Sequence, residues 1–290
     1  MLEAFEATPK LFLLLITALG LVLGSFFNVV IYRLPIMLER AWREDCRNFL
    51  GSTEESSQDT ALSLMWPNSF CPHCTKPIRP WHNLPVIGYL LLRGCCADCG
   101  KAISIRYPLI EMLTAIISVA VASKFGFSCQ TVLALILSWI LIVLSVIDLD
   151  HQLLPDAITV PALWLGLVAS IGGWFSEPEW SILGACVGYV TLWSVFHLFK
   201  LLTGKEGMGF GDFKLLAVLG AWLGWQMIPA IVLLSSTLGA LAGVTMIVLM
   251  GRDRTKPIPF GPYLAVAGWI CLMWGHELNT AYLRWIDLAA

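Results

Sequence analysis

Two groups of residues in this 290-residue chain have the types and spacing to do chemistry. The first is a set of carboxylates at the edges of apolar runs. In SVIDLDHQLLPD, Asp148 closes an apolar stretch of spanning length, and Asp150, His151 and Asp156 follow it. In GKEGMGFGDFKLL, Asp212 stands after Gly207, Gly209 and Gly211, at the mouth of another apolar run. Ionisable groups at membrane depth are costly and are functional candidates by default. Two facing carboxylates in a partly dry site do not both ionise readily, so one keeps a proton while the other is charged near neutral pH. Such a pair can split a peptide bond. The ionised acid takes a proton from water as it attacks the carbonyl, and the protonated acid donates to the carbonyl oxygen and helps expel the amine. The three glycines would let the backbone open at the helix start, so that water and an extended peptide reach Asp212.

Simpler roles stand beside this one. Asp212 alone equally suits an ion or proton pathway, because transporters also use broken helices lined by carboxylates. Asp148 alone could be a residue emerging at the membrane interface. Asp156, after Leu-Leu-Pro, reads as the N-cap of the next helix. His151 reads as a solvated loop residue, and His197 as a polar residue near the membrane surface. Glu111, close behind Arg106, reads as the partner of a basic group or of the interface, and its role is open.

The second group is four of the nine cysteines, FCPHC at Cys71 and Cys74 and CADCG at Cys96 and Cys99. The pattern C-x2-C-x21-C-x2-C suits tetrahedral Zn(II) held by thiolates far better than disulfides on the reducing side of a membrane. A segment this short would otherwise lack the core to fold. Cys95 adjoins Cys96, and the spacing allows either as the third ligand. Four thiolates leave no open coordination position, so the metal reads as structural. Cys129, Cys186 and Cys271 read as packing residues.

The elements that must position these groups are membrane helices. The chain is 58% hydrophobic and 13% charged, with mean hydropathy +0.77, which excludes an ordinary water-soluble globule. A net charge of -2 argues against a nucleic-acid partner. Apolar runs of spanning length cover 11–32, 107–123, 130–147, 157–175, 180–199 and 257–275. The uncharged stretch from Leu215 to Gly251 has 37 residues, too many for one span. A turn near Gly224 to Pro229 gives two, and leaves only 11 residues before it, so the first must begin at or before Asp212. The fold expected is an all-α polytopic membrane protein of about eight transmembrane helices. It divides into a first helix over 1–32, a small cytoplasmic zinc-binding insertion over 33–106 between helices 1 and 2, and a seven-helix bundle over 107–290. Within the insertion, residues 40–64 read as helical at first and then looped through GSTEESSQDT. With eight spans, fifteen of the eighteen Lys and Arg residues fall on one side, which is then the cytoplasm. Asp148 and Asp212 lie at the cytoplasmic ends of their helices and can meet, although 64 positions apart.

Six blocks, GSFFNVVIYRLP, the paired CxxC knuckles, RYPLIE, DLDHQLLPD, GMGFGDFKLL and PIPFGPYLA, occur in an order that resembles the type IV prepilin peptidases of bacterial inner membranes. The resemblance covers essentially the whole chain and implies a bifunctional enzyme. Such enzymes remove the basic leader of type IV prepilins and type II secretion pseudopilins after a glycine, on the cytoplasmic side. They then N-methylate the exposed residue with S-adenosylmethionine. The resemblance puts the catalytic aspartates on Asp148 and Asp212 and the zinc ligands on Cys71, Cys74, Cys96 and Cys99. It leaves the S-adenosylmethionine site unassigned, with a place between the cytoplasmic insertion and the bundle expected. It departs from the family at Cys95, where many members have a basic residue. Because prepilin leaders are basic, Glu39, Glu44 and Asp45 are the electrostatic candidates for placing them. The alternative of another class is a metal or proton transporter using the same carboxylates.

Overall fold

The computed structural model describes residues 8–51, 62–66, 68–250 and 258–289. Much of the polar run GSTEESSQDT and all three basic residues of the 252–256 loop therefore lie outside the described residues. Among the described residues there are nine α-helices and no strand, only two isolated bridges. Five helices are long and apolar enough to cross a membrane, which makes this a polytopic membrane protein. The chain forms two compact units, Met1–Phe127 and Ser128–Ala290.

In the first unit α1 runs unbroken over Pro9–Leu50, far past the expected end at residue 32 and through Pro35. Its 42 residues rise roughly 63 Å, about twice a bilayer core. The extension is built of good helix formers, with an Arg43–Glu39 pair at 2.6 Å, and it stops where Gly51 turns left-handed at φ +64°. Helix α2 is one short turn, Ile87–Leu91, and α3 covers Arg106–Phe125. Helices α1 and α3 approach at Gly20 and Gly24, where a Cβ would meet the backbones of Ala115 and Glu111 at 2.8 and 2.7 Å. Small residues four apart allow this close packing in membrane helices. The next residue on the stripe, Asn28, donates its side-chain amide to the carbonyls of Gly24 and Tyr107, each at 3.2 Å.

The second unit contains α4 (Cys129–His151), α5 (Asp156–Ser170), α6 (Pro178–Thr203), α7 (Phe210–Leu223), α8 (Ile228–Met250) and α9 (Gly261–Ala289, kinked at Trp274). The predicted turn is present. Gly224 takes φ +82° and a 3-10 turn at Trp225–Met227 leads into α8. Helix α7 begins before Asp212, as the length arithmetic required, yet it has only 14 residues. It need not reach both faces of a bilayer alone, because every residue from Leu215 to Leu223 is buried against neighbouring helices. Helices α6 and α7 touch backbone to backbone, since a Cβ on Gly184 or Gly220 would collide with the other's carbonyl. The Trp222 indole N–H donates to the Ala162 carbonyl at 2.9 Å, pinning α7 to α5, with Gly166 making room for the ring. Of the three cysteines expected to pack, only Cys271 is buried; Cys129 and Cys186 lie on exposed faces.

Candidate active site and metal centre

Asp148 lies in the last turn of α4, one turn before Gln152 ends the helix in the left-handed region, and is only 5% exposed. Its Oδ2 accepts the backbone N–H of Gly261 at 3.0 Å. That amide is one of the first of α9, where no carbonyl of the same helix is available to it. A Cβ on Gly261 would sit 2.6 Å from the same oxygen, so the bond requires glycine. Sequence reasoning missed this residue. The Gly-Pro pair at 261–262, which marks a helix start with unclaimed amides, was the signal that could have found it.

Asp212 is the third residue of α7, and is 6% exposed. Its carboxylate reaches back to the amide of Gly209, the N-cap, while its own N–H donates to the Gly209 carbonyl at 3.2 Å. The glycine-rich stretch thus ends in a backbone turn that starts α7 at Gly209. Asp148 is near enough for its charge to act on Asp212. Leu154 joins their surroundings. It is buried, a Cβ on Gly211 would lie 2.8 Å from its Cβ, and one on Gly261 would lie 3.4 Å from its Cδ1. The loop after α4 thus inserts one leucine between the starts of α7 and α9.

The other acids of the DLDHQLLPD block point elsewhere. Asp156 is not the N-cap of α5; Pro155, extended at φ -62° and ψ 128°, holds that place. Asp156 is the first helical residue and pairs with Lys214 of α7 at 2.6 Å, a contact that separation in sequence concealed. Asp150 and His151 are exposed, and His197 packs against Trp193 at an exposed position, ring centroids 4.3 Å apart and planes tilted by 58°.

In the first unit the sulfur atoms of Cys71, Cys74, Cys96 and Cys99 all lie within 4.8 Å of one another. The Cys71 and Cys99 Sγ atoms are 3.8 Å apart. A zinc tetrahedron with Zn–S near 2.3 Å has sulfur-sulfur edges of about 3.8 Å, so the thiols already have the size of the site. The two knuckles repeat one another. Cys71 N–H donates to Lys76 O and Cys96 N–H to Lys101 O, and the residue after each second cysteine, Thr75 or Gly100, is left-handed at φ +57° or +67°. The amides of Cys74 and His73 donate to the Cys71 sulfur and bring its thiol down to about 7, toward the thiolate that a metal needs. Cys95 is exposed, bridges to Ala102 through its backbone and is outside the cluster.

For Glu111 the sequence offered a basic partner or the interface and left its role open. The residue is buried, at 7% exposure, accepting the Val86 N–H at 2.7 Å and a hydrogen bond from Ser25. Among the described residues no Lys or Arg pairs with it.

Residues 18–125 match the bacterial peptidase A24 N-terminal domain, and residues 135–244 match the type IV leader peptidase family. The chain is 52% identical over 284 residues to a prepilin leader peptidase/N-methyltransferase of Pseudomonas aeruginosa, covering 98% of each. It is 50% identical to the one of Aeromonas hydrophila, covering 98% of each chain. It is 43% identical to that of Legionella pneumophila, covering 95% of this chain and 96% of that one. No solved structure gives a significant match. Matched in both halves and along almost its full length, the chain belongs to the type IV leader peptidase family.

Proposed function

We propose that the chain is a prepilin leader peptidase and N-methyltransferase, with Asp148 and Asp212 as the catalytic pair of the peptidase. The observation that carries the peptidase reading is the convergence of two buried carboxylates from opposite kinds of helix terminus, Asp148 held by the Gly261 amide and Asp212 turned toward that of Gly209. Amide donors fix the carboxylates without adding a cation that would neutralise the pair. One aspartate, ionised, accepts a proton from the water that attacks the scissile carbonyl. The other, protonated, donates to the carbonyl oxygen and then assists departure of the amine. Gly209, where a Cβ would meet nothing closer than 4.0 Å, leaves the peptide backbone of the substrate room to approach Asp212.

The substrates are type IV prepilins and type II secretion pseudopilins, cut after glycine at the end of a basic leader. Glu44 and Asp45 of the α1 extension, both exposed, are the acids that would meet such leaders, while Glu39 is already paired to Arg43. The bias of basic residues assigns the cysteine knuckles and both aspartates to the cytoplasmic side of the bacterial inner membrane. Cys71, Cys74, Cys96 and Cys99 would hold Zn(II), tying the two knuckles together with no position left for a substrate. When bound, S-adenosylmethionine supplies an electrophilic methyl group for the amine that cleavage exposes. Placement of the carboxylates at helix ends also favours the peptidase over a transporter, which would carry them at mid-bilayer on facing helices.

The test follows purified prepilin in detergent by mass, so that leader removal and methylation are scored separately. Asp148→Asn and Asp212→Asn should each lower cleavage by about 10²- to 10⁴-fold. Both should still methylate a pilin supplied already cut. Full cleavage by either variant would end the two-aspartate mechanism.

A further inference from the structure

The first unit holds a cavity of about 380 Å³ bordered by α1, the start of α3 and both cysteine knuckles. Its volume falls in the range of small-molecule sites, ~300 to 1,000 Å³. Nothing in the peptidase mechanism uses it. Resting on the methyltransferase reading above, we propose that this cavity is the methyl-donor site, with the Glu111 carboxylate opposite the positive charge of S-adenosylmethionine.

Glu111 is the first reason. A carboxylate withdrawn from water is costly unless a cation or a full set of donors compensates it. Glu111 has the Val86 amide and the Ser25 hydrogen bond, which leaves part of its ~4 acceptor positions for another group. None of the basic side chains on the cavity wall, Arg33, Lys76, Arg79 and Lys101, pairs with Glu111. Arg33 donates to the Ser63 and Leu64 carbonyls at 2.9 and 3.4 Å, and Lys76 pairs with Asp98 at 3.1 Å. Among the described residues this acid has no paired cation, and a sulfonium donor would bring one.

Backbone strain at the same place is the second. Val86 has φ +59° and ψ -47°, and the Ile87 N–H donates across it to the Pro85 carbonyl. This is the strained form of γ-turn, in a β-branched residue for which positive φ is an outlier. The turn aims the Val86 amide at Glu111. Strain of this kind persists where surrounding structure enforces it, and it concentrates at ligand sites. An ion pair with any nearby lysine would have held a merely structural glutamate without it.

The remaining wall suits the rest of the donor. Asn28, 7% exposed, has both amide hydrogens committed to Gly24 and Tyr107, which directs its carbonyl oxygen as an acceptor for an adenine amino group or ribose hydroxyl. Tyr32 and Tyr107 line the cavity close to one another and offer ring faces to a purine or a sulfonium.

The experiment uses the full chain in detergent and titrates S-adenosylmethionine calorimetrically into wild type, Glu111→Gln and Tyr32→Ala. Zinc content and melting temperature report folding. Tyr32 is 55% exposed, so its truncation opens no core cavity. Ultraviolet cross-linking of radiolabelled S-adenosylmethionine to wild type, followed by peptide mapping, needs no variant. The expectation is a loss of affinity of about tenfold or more in Glu111→Gln, a smaller loss in Tyr32→Ala, and label within residues 25–33 or 69–111. Undiminished affinity in both variants, or label confined to peptides after Ser128, overturns the assignment while leaving the methyltransferase reading intact. Wild type that binds no S-adenosylmethionine overturns both.

Discussion

Cys71, Cys74, Cys96 and Cys99 reach one another on two tight turns, each closed by hydrogen bonds within about five residues, whereas Asp148 and Asp212 are carried together by helices 64 positions apart. The amide that holds Asp148 comes from a third segment, 113 positions further on. The knuckles are thus local structures that need only to be brought face to face. The carboxylate site exists only when α4, α7 and α9 are all packed. A local site fails by losing a ligand, and a distributed site fails when any helix shifts. The two should respond differently to the same severity of substitution.

Gly261→Ala should have the largest effect for its size. One methyl placed 2.6 Å from the Asp148 carboxylate must displace either the acid or the start of α9. Cleavage should fall by about 10²-fold with helical content unchanged, because a shift near 1 Å misaligns reacting groups. Equal rates in variant and wild type, measured by mass, would show that the Gly261 amide does not matter to the aspartate.

Removing a cysteine tests the local site. Cys71→Ser and Cys96→Ser should each lose bound zinc, measured by atomic emission, and with it the S-adenosylmethionine affinity of the adjoining cavity. Cys95→Ser should keep a full complement. If instead Cys95→Ser lost the metal and Cys96→Ser kept it, the repeat of the two knuckles would have been read in the wrong register.

Helix contact comes next. A methyl at Gly220 forces apart two backbones that now touch, and Gly220→Ala should destabilise the second unit by about 1 to 3 kcal/mol. A thermal melt followed by tryptophan fluorescence would register the loss. Smallest of all is Lys214→Ala. Its pair with Asp156 is substantially exposed, at 37% and 61%, so the change should cost only about 0.2 to 1 kcal/mol and leave cleavage in place. A large fall in cleavage would give that pair a part in positioning α7 that its exposure does not suggest.

Much of this protein was written in the chain because the governing interactions are local or compositional. Apolar runs of spanning length must become helices in a membrane, since only there are all backbone groups satisfied within one segment. The CxxC spacing is a turn and its two ligands at once. The short distance from Gly224 back to Asp212 fixed where α7 had to begin. Other features depended on which helices meet. The persistence of α1 past residue 32 is invisible to hydropathy, because the extension is polar. Pro155 displaced Asp156 from the cap, and Lys214 then claimed the acid from another helix. Glu111 gave no sign that its partner would be a strained valine amide 25 positions earlier. Leu154 and Gly261 acquired their places beside the aspartates through packing alone, where steric room for one hydrogen bond decided what could stand there. Spacing along a chain specifies contacts only over a few residues. Beyond that, shape complementarity between helices selects which side chains become neighbours.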